Sequence, residues 1–459
     1  MLALGALITL TVPAFLASLR AQFSPVLLVG AVGVLVLAVV ALGLWARSDR
    51  NLRSDVLDGV DLMLYLSPVL LLTTVFPLAA PRMAEARVGD VSLMAVVMAC
   101  SVSVPWVGQA ACMPIYQALG ELISERDPDQ IKAAVVRHWA GLFLASVPLV
   151  AAFAVAVRLV TGWGPGPILV FIALLLAHVL FVQSLIVGNL LLRRGLWAVA
   201  WAAYAAALFL VPAVWWLPPV LGAATQIIPL GKHLKALVGA PLFLSARHLF
   251  TGMVRGLLTG AVLWADKLLV LLTLGLAGMP VVTIYFSLVP ALIAYHYYFA
   301  ILAPRIDAQV NDLHQAISKA PIHAATRRAN RLFGEVDRSL LRTGVLGMIL
   351  TMLSASAMAV IQPERVVLST TLGVAAWLFV MVTLVSYQLD YLGETRVSQA
   401  VGIIHLVTLF LTIPNLSLSA AYLVIATVDL ALLAFCVVLY RRLWRQPEYT
   451  LFWRRAVAW

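Results

Sequence analysis

PPVLGAATQIIPLGKHLKALVGAP, residues 218–241, is long enough to span a bilayer, yet it carries Lys232, His233, Lys235 and a mid-segment Pro229. Thirteen other segments are free of this ambiguity, at 2–19, 26–46, 60–80, 91–117, 139–162, 167–192, 196–217, 249–277, 280–303, 343–361, 366–389, 398–418 and 419–440. Each approaches the roughly twenty apolar residues that about 30 Å of hydrocarbon demands. Composition points the same way: 63% of residues are hydrophobic, 11% are charged, and mean hydropathy is +1.01. A water-soluble globule could not cover that much apolar area with polar surface, so the chain reads as an all-α polytopic membrane protein.

Charge placement decides the ambiguous interval. If 218–241 crosses, one side of the membrane collects Arg47, Arg50, Arg53, Arg126, Lys132, Arg137, Arg193, Arg194, Arg247, the basic tract from 305 to 342, Arg396 and the tail from 441. The other side keeps only Arg20, Arg82, Arg87, Arg158 and Arg365. Without that crossing the most basic loop would lie opposite the three basic loops before it, against the positive-inside tendency. Fourteen helices with both termini cytoplasmic are therefore expected, in the inner or plasma membrane. Lys232, Lys235 and Arg255 then sit near cytoplasmic helix ends, where snorkelling accounts for them. The net charge of +11 sets topology instead of marking nucleic acid as a partner. Segment 2–19 lacks a basic leader and is followed at once by another apolar run, so it is expected to be a retained helix.

The chain also reads as two similar halves. In SVSVPWVGQAACMPIYQALGELISERDPDQI and YFSLVPALIAYHYYFAILAPRIDAQVNDL, the pairs Val104-Pro105 and Val289-Pro290 stand 185 residues apart, and each opens an aromatic half-helix leading into a charged tract. Later segments correspond at an offset nearer 200. The division expected is a helix pair in 1–48, a six-helix bundle in 60–241, a second in 249–440 that includes a cytoplasmic tract at 304–342, and a basic tail at 441–459. Six is even, so the halves run parallel, as in transporters whose repeats are related by an axis along the membrane normal. The cytoplasmic tracts read as amphipathic helices. Asp127-Pro128 is an N-cap followed by Pro at N1, and Ile131, Val135 and Val136 share a face. Ile306, Val310, Leu313 and Ile317 make a second stripe, continued by Leu332, Val336 and Leu340. Such helices lie on anionic lipid, dock a partner, or serve as solvated connectors.

Catalytic signatures are missing from the sequence. There is no GxxxxGK[ST] loop, G-x-S-x-G elbow or H-E-x-x-H helix, and no external loop long enough for a catalytic domain. Cys100, Cys112 and Cys436 fall in apolar segments without metal-ligand spacing. A non-enzymatic protein without cofactor or metal is expected. Attention moves to charges at membrane depth, which cost a few kcal/mol or more and so mark functional positions. Asp266 and Lys267 lie mid-segment in GAVLWADKLLVL, residues 260–271. Neighbours on a helix are about 100° apart and do not face each other, so no salt bridge between the two is expected. Residues one turn away from Asp266 are all apolar, which leaves another helix, water or substrate as its partner. Gln109, His178, Gln183, Tyr295, His296, His405 and Asp429 are the other polar residues at depth. A buried Asp can exchange a proton between sides, and a buried cation favours an anionic ligand such as a phosphate or uronate. Trp264, Tyr295, Tyr297 and Tyr298 are placed to stack on sugar faces or to anchor at the interface. Asp58 and Asp61 favour a helix N-terminus.

LWADKLLVLL (263–272), followed by IYFSLVPALIAYHYYFAILAPRIDAQVNDLHQAI (284–317), resembles the PelG-like exopolysaccharide exporters of the multidrug/oligosaccharidyl-lipid/polysaccharide flippase superfamily. YQALGELISERDPDQI (116–131) is similar to the exit of that family's second core helix, and RQPEYTLFW (445–453) to its C-terminal end. The similarity spans roughly residues 60 to 455, with Trp264-Ala-Asp-Lys267 its most specific group. It implies a twelve-helix core of two bundles around a central cavity, alternating access, and export of an exopolysaccharide or its precursor. Partners implied are the saccharide, a cytoplasmic glycosyltransferase and other membrane subunits of a synthase complex. Asp266 and Lys267 would face the cavity, with His296 and Asp429 assisting. The helix pair in 1–48 lies outside that core.

Two rival functions remain open at this stage. One is a cation-coupled exporter of small molecules on the same scaffold. The other is a non-transporting subunit that recruits a glycosyltransferase through 304–342.

Overall fold

The computed structural model describes residues 54–119, 127–191, 193–235, 244–278, 280–319, 321–392 and 394–445. The expected helix pair in 1–48 and most of the tail at 441–459 lie outside them. Thirteen α-helices make up nearly all of what is described. They are α1 (Ser54–Glu85), α2 (Leu93–Ala118), α3 (Pro128–Thr161), α4 (Pro165–Leu190), α5 (Arg194–Leu210), α6 (Leu217–Ile227), α7 (Ala246–Gly278), α8 (Val281–Tyr297), α9 (Ala303–Lys319), α10 (Ile322–Ile361), α11 (Val366–Tyr391), α12 (Thr395–Thr412) and α13 (Leu418–Leu443). Eight helices among the described residues are long and apolar enough to cross a membrane. Large apolar side chains are exposed as well as buried: Leu159, Leu169 and Val438 are strongly exposed, and Ser103, Thr283 and Asp429 are buried within an otherwise apolar core. Lipid, not water, is the solvent that suits such a surface. The chain is an all-α polytopic membrane protein.

Over its described residues, 218–235, the interval 218–241 is not one regular α-helix. α6 ends at Ile227 and continues as a 3₁₀ segment, Ile228–Leu234, with Gly231 at φ 24°. Pro229 explains the change, because it has no N–H to give and its ring crowds the carbonyl four residues back. A second departure from the sequence reading is a two-stranded hairpin before α2. β1 (Arg87–Val88) pairs antiparallel with β2 (Val91–Ser92), in the register Arg87 to Ser92 and Val88 to Val91. Gly89 takes φ 64° in the turn, and the Ser92 hydroxyl then accepts from the Ala95 N–H to cap α2.

The described residues fall in two compact units, 63–278 and 280–445, the second also taking 54–62. In the first, α4 touches α2, α3, α5 and α6, and the pairs α2/α3 and α5/α6 also pack. In the second, α11 touches α8, α10, α12 and α13, and the pairs α8/α10 and α12/α13 pack. The same six packings thus occur in each. Helix starts at Pro165, Arg194 and Leu217 are matched by Val366, Thr395 and Leu418, each 201 residues on. α4 and α11 are both 26 residues long. Prolines 105 and 290 sit inside the equivalent helices α2 and α8. Helix α7, grouped with the second bundle in the sequence analysis, packs in the structure on α2 of the first.

The amphipathic stripes are covered by the protein's own core. Ile131, Val135 and Val136 join one buried cluster with Ile115 and Trp139. Ile306, Val310, Leu313, Leu332, Val336 and Leu340 are buried with Leu384, Tyr440 and Trp444 in another. These apolar faces are therefore not lipid-binding or docking surfaces; the basic residues opposite them are what α10 exposes, at Arg327, Arg331, Arg338 and Arg342. The expected cap on α3 is present, the Asp127 carboxylate accepting from the N–H groups of Asp129 and Gln130 at 3.0 and 3.3 Å. Asp127→Ala is expected to lower stability by about 1 kcal/mol, read as a lower melting temperature in detergent with α3 still formed.

Candidate functional site

Helix α7 carries the most specific sequence group, and its position is fixed by a row of glycines. GMVRGLLTG places Gly252, Gly256 and Gly260 four residues apart, on one face against α2. A Cβ on Gly252 would lie 2.9 Å from Cα of Pro114; on Gly256, 2.5 Å from the Gln109 carbonyl oxygen; on Gly260, 2.7 Å from Cδ1 of Trp106. Only glycine permits this approach, the close packing that small residues allow between membrane helices. The Trp106 indole N–H donates to the Leu257 carbonyl at 2.8 Å and ties the seam. Sequence analysis passed over this row, reading the stretch for hydropathy and for Arg255; the GxxxGxxxG spacing was the signal.

Trp264 follows Gly260 by one turn, and beside it lies the charged pair. Lys267 Nζ is 2.8 Å from Asp266 Oδ2, with side chains 12% and 13% exposed. The expectation that these neighbours would not pair is therefore corrected. Angular separation limits where two Cβ atoms point, but the four-carbon lysine stem can curl back. In a medium where a lone charge is costly, pairing outweighs the rotamer preference. Lys267 Nζ also lies 5.5 Å from the Trp264 ring centroid, a cation–π contact. Trp264 thus holds the lysine. The pair is neutral as a unit and sits at membrane depth at modest cost; a ligand group that engages one partner releases the charge of the other.

A second arrangement lies in α11–α13. His405 Nδ1 donates to Asp429 Oδ1 at 2.8 Å, and the carboxylate is fully buried. The Phe379 ring stacks on the imidazole at 4.1 Å and 21°. Asp429 Oδ2 accepts no hydrogen bond among the described residues. An imidazole and a carboxylate in contact, with one acceptor spare, make a group that can take up or release a proton without leaving the helix hairpin. Both residues were candidates from sequence, but separately. Their positions on either side of the turn between α12 and α13 bring them together.

The remaining candidates disperse. His296 Nδ1 donates back to the Leu292 carbonyl at 2.7 Å, and Tyr295 lies edge-on to it and against Phe299. Tyr298 is fully buried and accepts from Gln388 at 2.6 Å, so it is not placed to stack on a sugar. Gln109 exposes its side chain and meets the glycine seam only through its backbone. His178 is structural, Nδ1 donating to the Leu174 carbonyl at 2.8 Å and Nε2 bonded to the Tyr204 hydroxyl at 2.9 Å. Gln183 Nε2 reaches the Ala111 carbonyl at 3.4 Å. The first unit therefore holds Gln109, Trp264, Asp266 and Lys267, and the second Tyr295, His296 and Asp429. No family model, curated protein or solved structure matches this chain.

Proposed function

We propose that this chain is an inner-membrane transporter that exports an exopolysaccharide or a lipid-linked saccharide by alternating access. The observation that carries the reading is the internal repeat, six helix packings that recur, with three of the helix starts 201 residues apart. Internal repeats are common in transporter architecture, and a passive scaffold has no need of them. The Asp266–Lys267 pair supplies charges for substrate or coupling in one unit, and His405–Asp429 a proton site in the other. The saccharide class rests on the resemblance of LWADKLLVLL and its proline-centred sequel to the PelG-like exporters. In that role the partners are the bilayer, the saccharide, a cytoplasmic glycosyltransferase and other synthase subunits.

The test is extracellular polymer from a strain lacking the chain, complemented at matched membrane abundance. Wild type is expected to restore the polymer, and Asp266→Asn, which strands the Lys267 ammonium, to lower it about tenfold or more, the scale of one lost charge-assisted contact. Polymer undiminished by deletion would remove the saccharide reading.

The His405–Asp429 pair favours one alternative on the same scaffold, cation-coupled efflux of small molecules. Under that reading proton-dependent dye efflux is lost in Asp429→Asn while polymer is unaffected.

A further inference from the structure

The turn from α4 into α5 holds two buried donors with nothing to donate to. Arg194 Nη1 and Trp197 Nε1 are both shielded from solvent, and neither makes a hydrogen bond among the described residues. They line one small recess with Tyr65, Gly188 and Asn189. Around it the aromatic walls are set. The Tyr65 and Trp197 rings stack at 6.1 Å and 10°, and the Arg194 guanidinium lies 4.8 Å from the Tyr65 ring centroid. Asn189 is held by its bond to the Tyr116 hydroxyl at 3.1 Å. No carboxylate among the described residues pairs with Arg194. An adjoining recess shares Gly188 and adds Arg193, Ser184, Gln226 and Lys132, the last already paired with Asp129 at 3.1 Å.

We infer that this is an oxyanion site, in which one phosphate oxygen lodges between Arg194 Nη1 and Trp197 Nε1 while the rest of the group lies toward Arg193 in the adjoining recess. The recess admits a group about the size of a water oxygen, which suits a single phosphate oxygen and excludes a sugar ring. A water there would accept from both donors but bring no charge to the half-buried guanidinium, whereas an anion supplies acceptor and countercharge together. A planar guanidinium with a free N–H matches phosphate geometry. By the charge bookkeeping of the sequence, Arg193 and Arg194 lie at the cytoplasmic face. The phosphate comes from the headgroup of an anionic lipid in that leaflet or from a soluble phosphate. This inference does not depend on what the protein transports.

The purified full chain, in nanodiscs of phosphatidylcholine with and without phosphatidylglycerol, and in phosphatidylcholine with added inorganic phosphate, distinguishes the sources. The readout is the melting temperature over a titration of each anion. For the wild type a saturable rise with phosphatidylglycerol alone identifies the lipid, and one with inorganic phosphate identifies the soluble anion. In either case Arg194→Gln is expected to weaken the apparent affinity about tenfold or more. Trp197→Phe keeps an aromatic side chain but loses the N–H with the pyrrole part of the indole, and is expected to weaken it less than Arg194→Gln; it serves as the readout if Arg194→Gln does not fold. A wild type indifferent to both anions, or variants that respond as the wild type does, would overturn the site and leave a bound water as the occupant, without touching the export reading.

Discussion

Gly256→Leu should lower the stability of the folded chain by about 3 kcal/mol, at the upper end of what overpacking costs. At this position a Cβ would meet the Gln109 carbonyl oxygen at 2.5 Å and the Ala110 Cα at 2.6 Å. Both belong to the backbone, so neither can rotate aside, and the clash is relieved only by moving α7 off α2. Gly334→Ala is the matched control, because there the nearest atom is a guanidinium nitrogen of Arg338 at 3.9 Å. It should melt with the wild type or slightly above, alanine being the better helix former by up to about 1 kcal/mol. Transport should fall with Gly256→Leu as well, since Trp264, Asp266 and Lys267 ride on the same helix. A Gly256→Leu protein that melts as the wild type does would mean that the seam is not close-packed.

The second large effect belongs to the buried pair. Asp429→Leu leaves His405 Nδ1 without its acceptor, and His405→Leu leaves a fully buried carboxylate without its donor. Each single change is expected to cost about 3 kcal/mol, the scale for removing one partner from a buried pair. The double change, Asp429→Leu with His405→Leu, should recover most of that loss, because apolar groups of similar size replace buried pairs at little net cost. A double-mutant cycle on melting stability reads the coupling; strictly additive losses would mean that the two side chains do not act together. Activity separates architecture from chemistry here. If the pair carries protons, the double variant regains stability and stays inactive.

The helices were legible because membrane helices announce themselves twice, by apolar length and by the basic residues between them. Segment 167–192 became Pro165–Leu190 and 366–389 became Val366–Tyr391. What the sequence reading missed depends on geometry finer than hydropathy. Pro229 and Gly231 break the helix that begins at Leu217, a backbone effect that average polarity does not register. The hairpin at 87–92 is too short to alter a window of twenty residues, although Gly-Asp between two valines is a turn signal. The Asp266–Lys267 pair is not legible from helical spacing, because spacing fixes where Cβ atoms point and not how far a lysine stem reaches. Asp429 and His405 were each visible as polar residues at depth, but their contact needed the fold of the α12–α13 hairpin. Arg194 was read only as one more topogenic charge. That its Nη1 is buried without a hydrogen bond among the described residues depends on the packing of Tyr65 and Trp197 around it.

Export, as distinct from recruitment of a synthase, is tested most directly by where the saccharide resides. In a strain whose only copy carries Asp266→Asn at wild-type membrane abundance, saccharide would be quantified outside intact cells and again after lysis. The account predicts that synthesis continues and the product is retained: little outside, with the missing amount recovered on the cytoplasmic side. Saccharide at wild-type levels outside, or none in either fraction, would contradict a transporter whose work runs through the charges of α7.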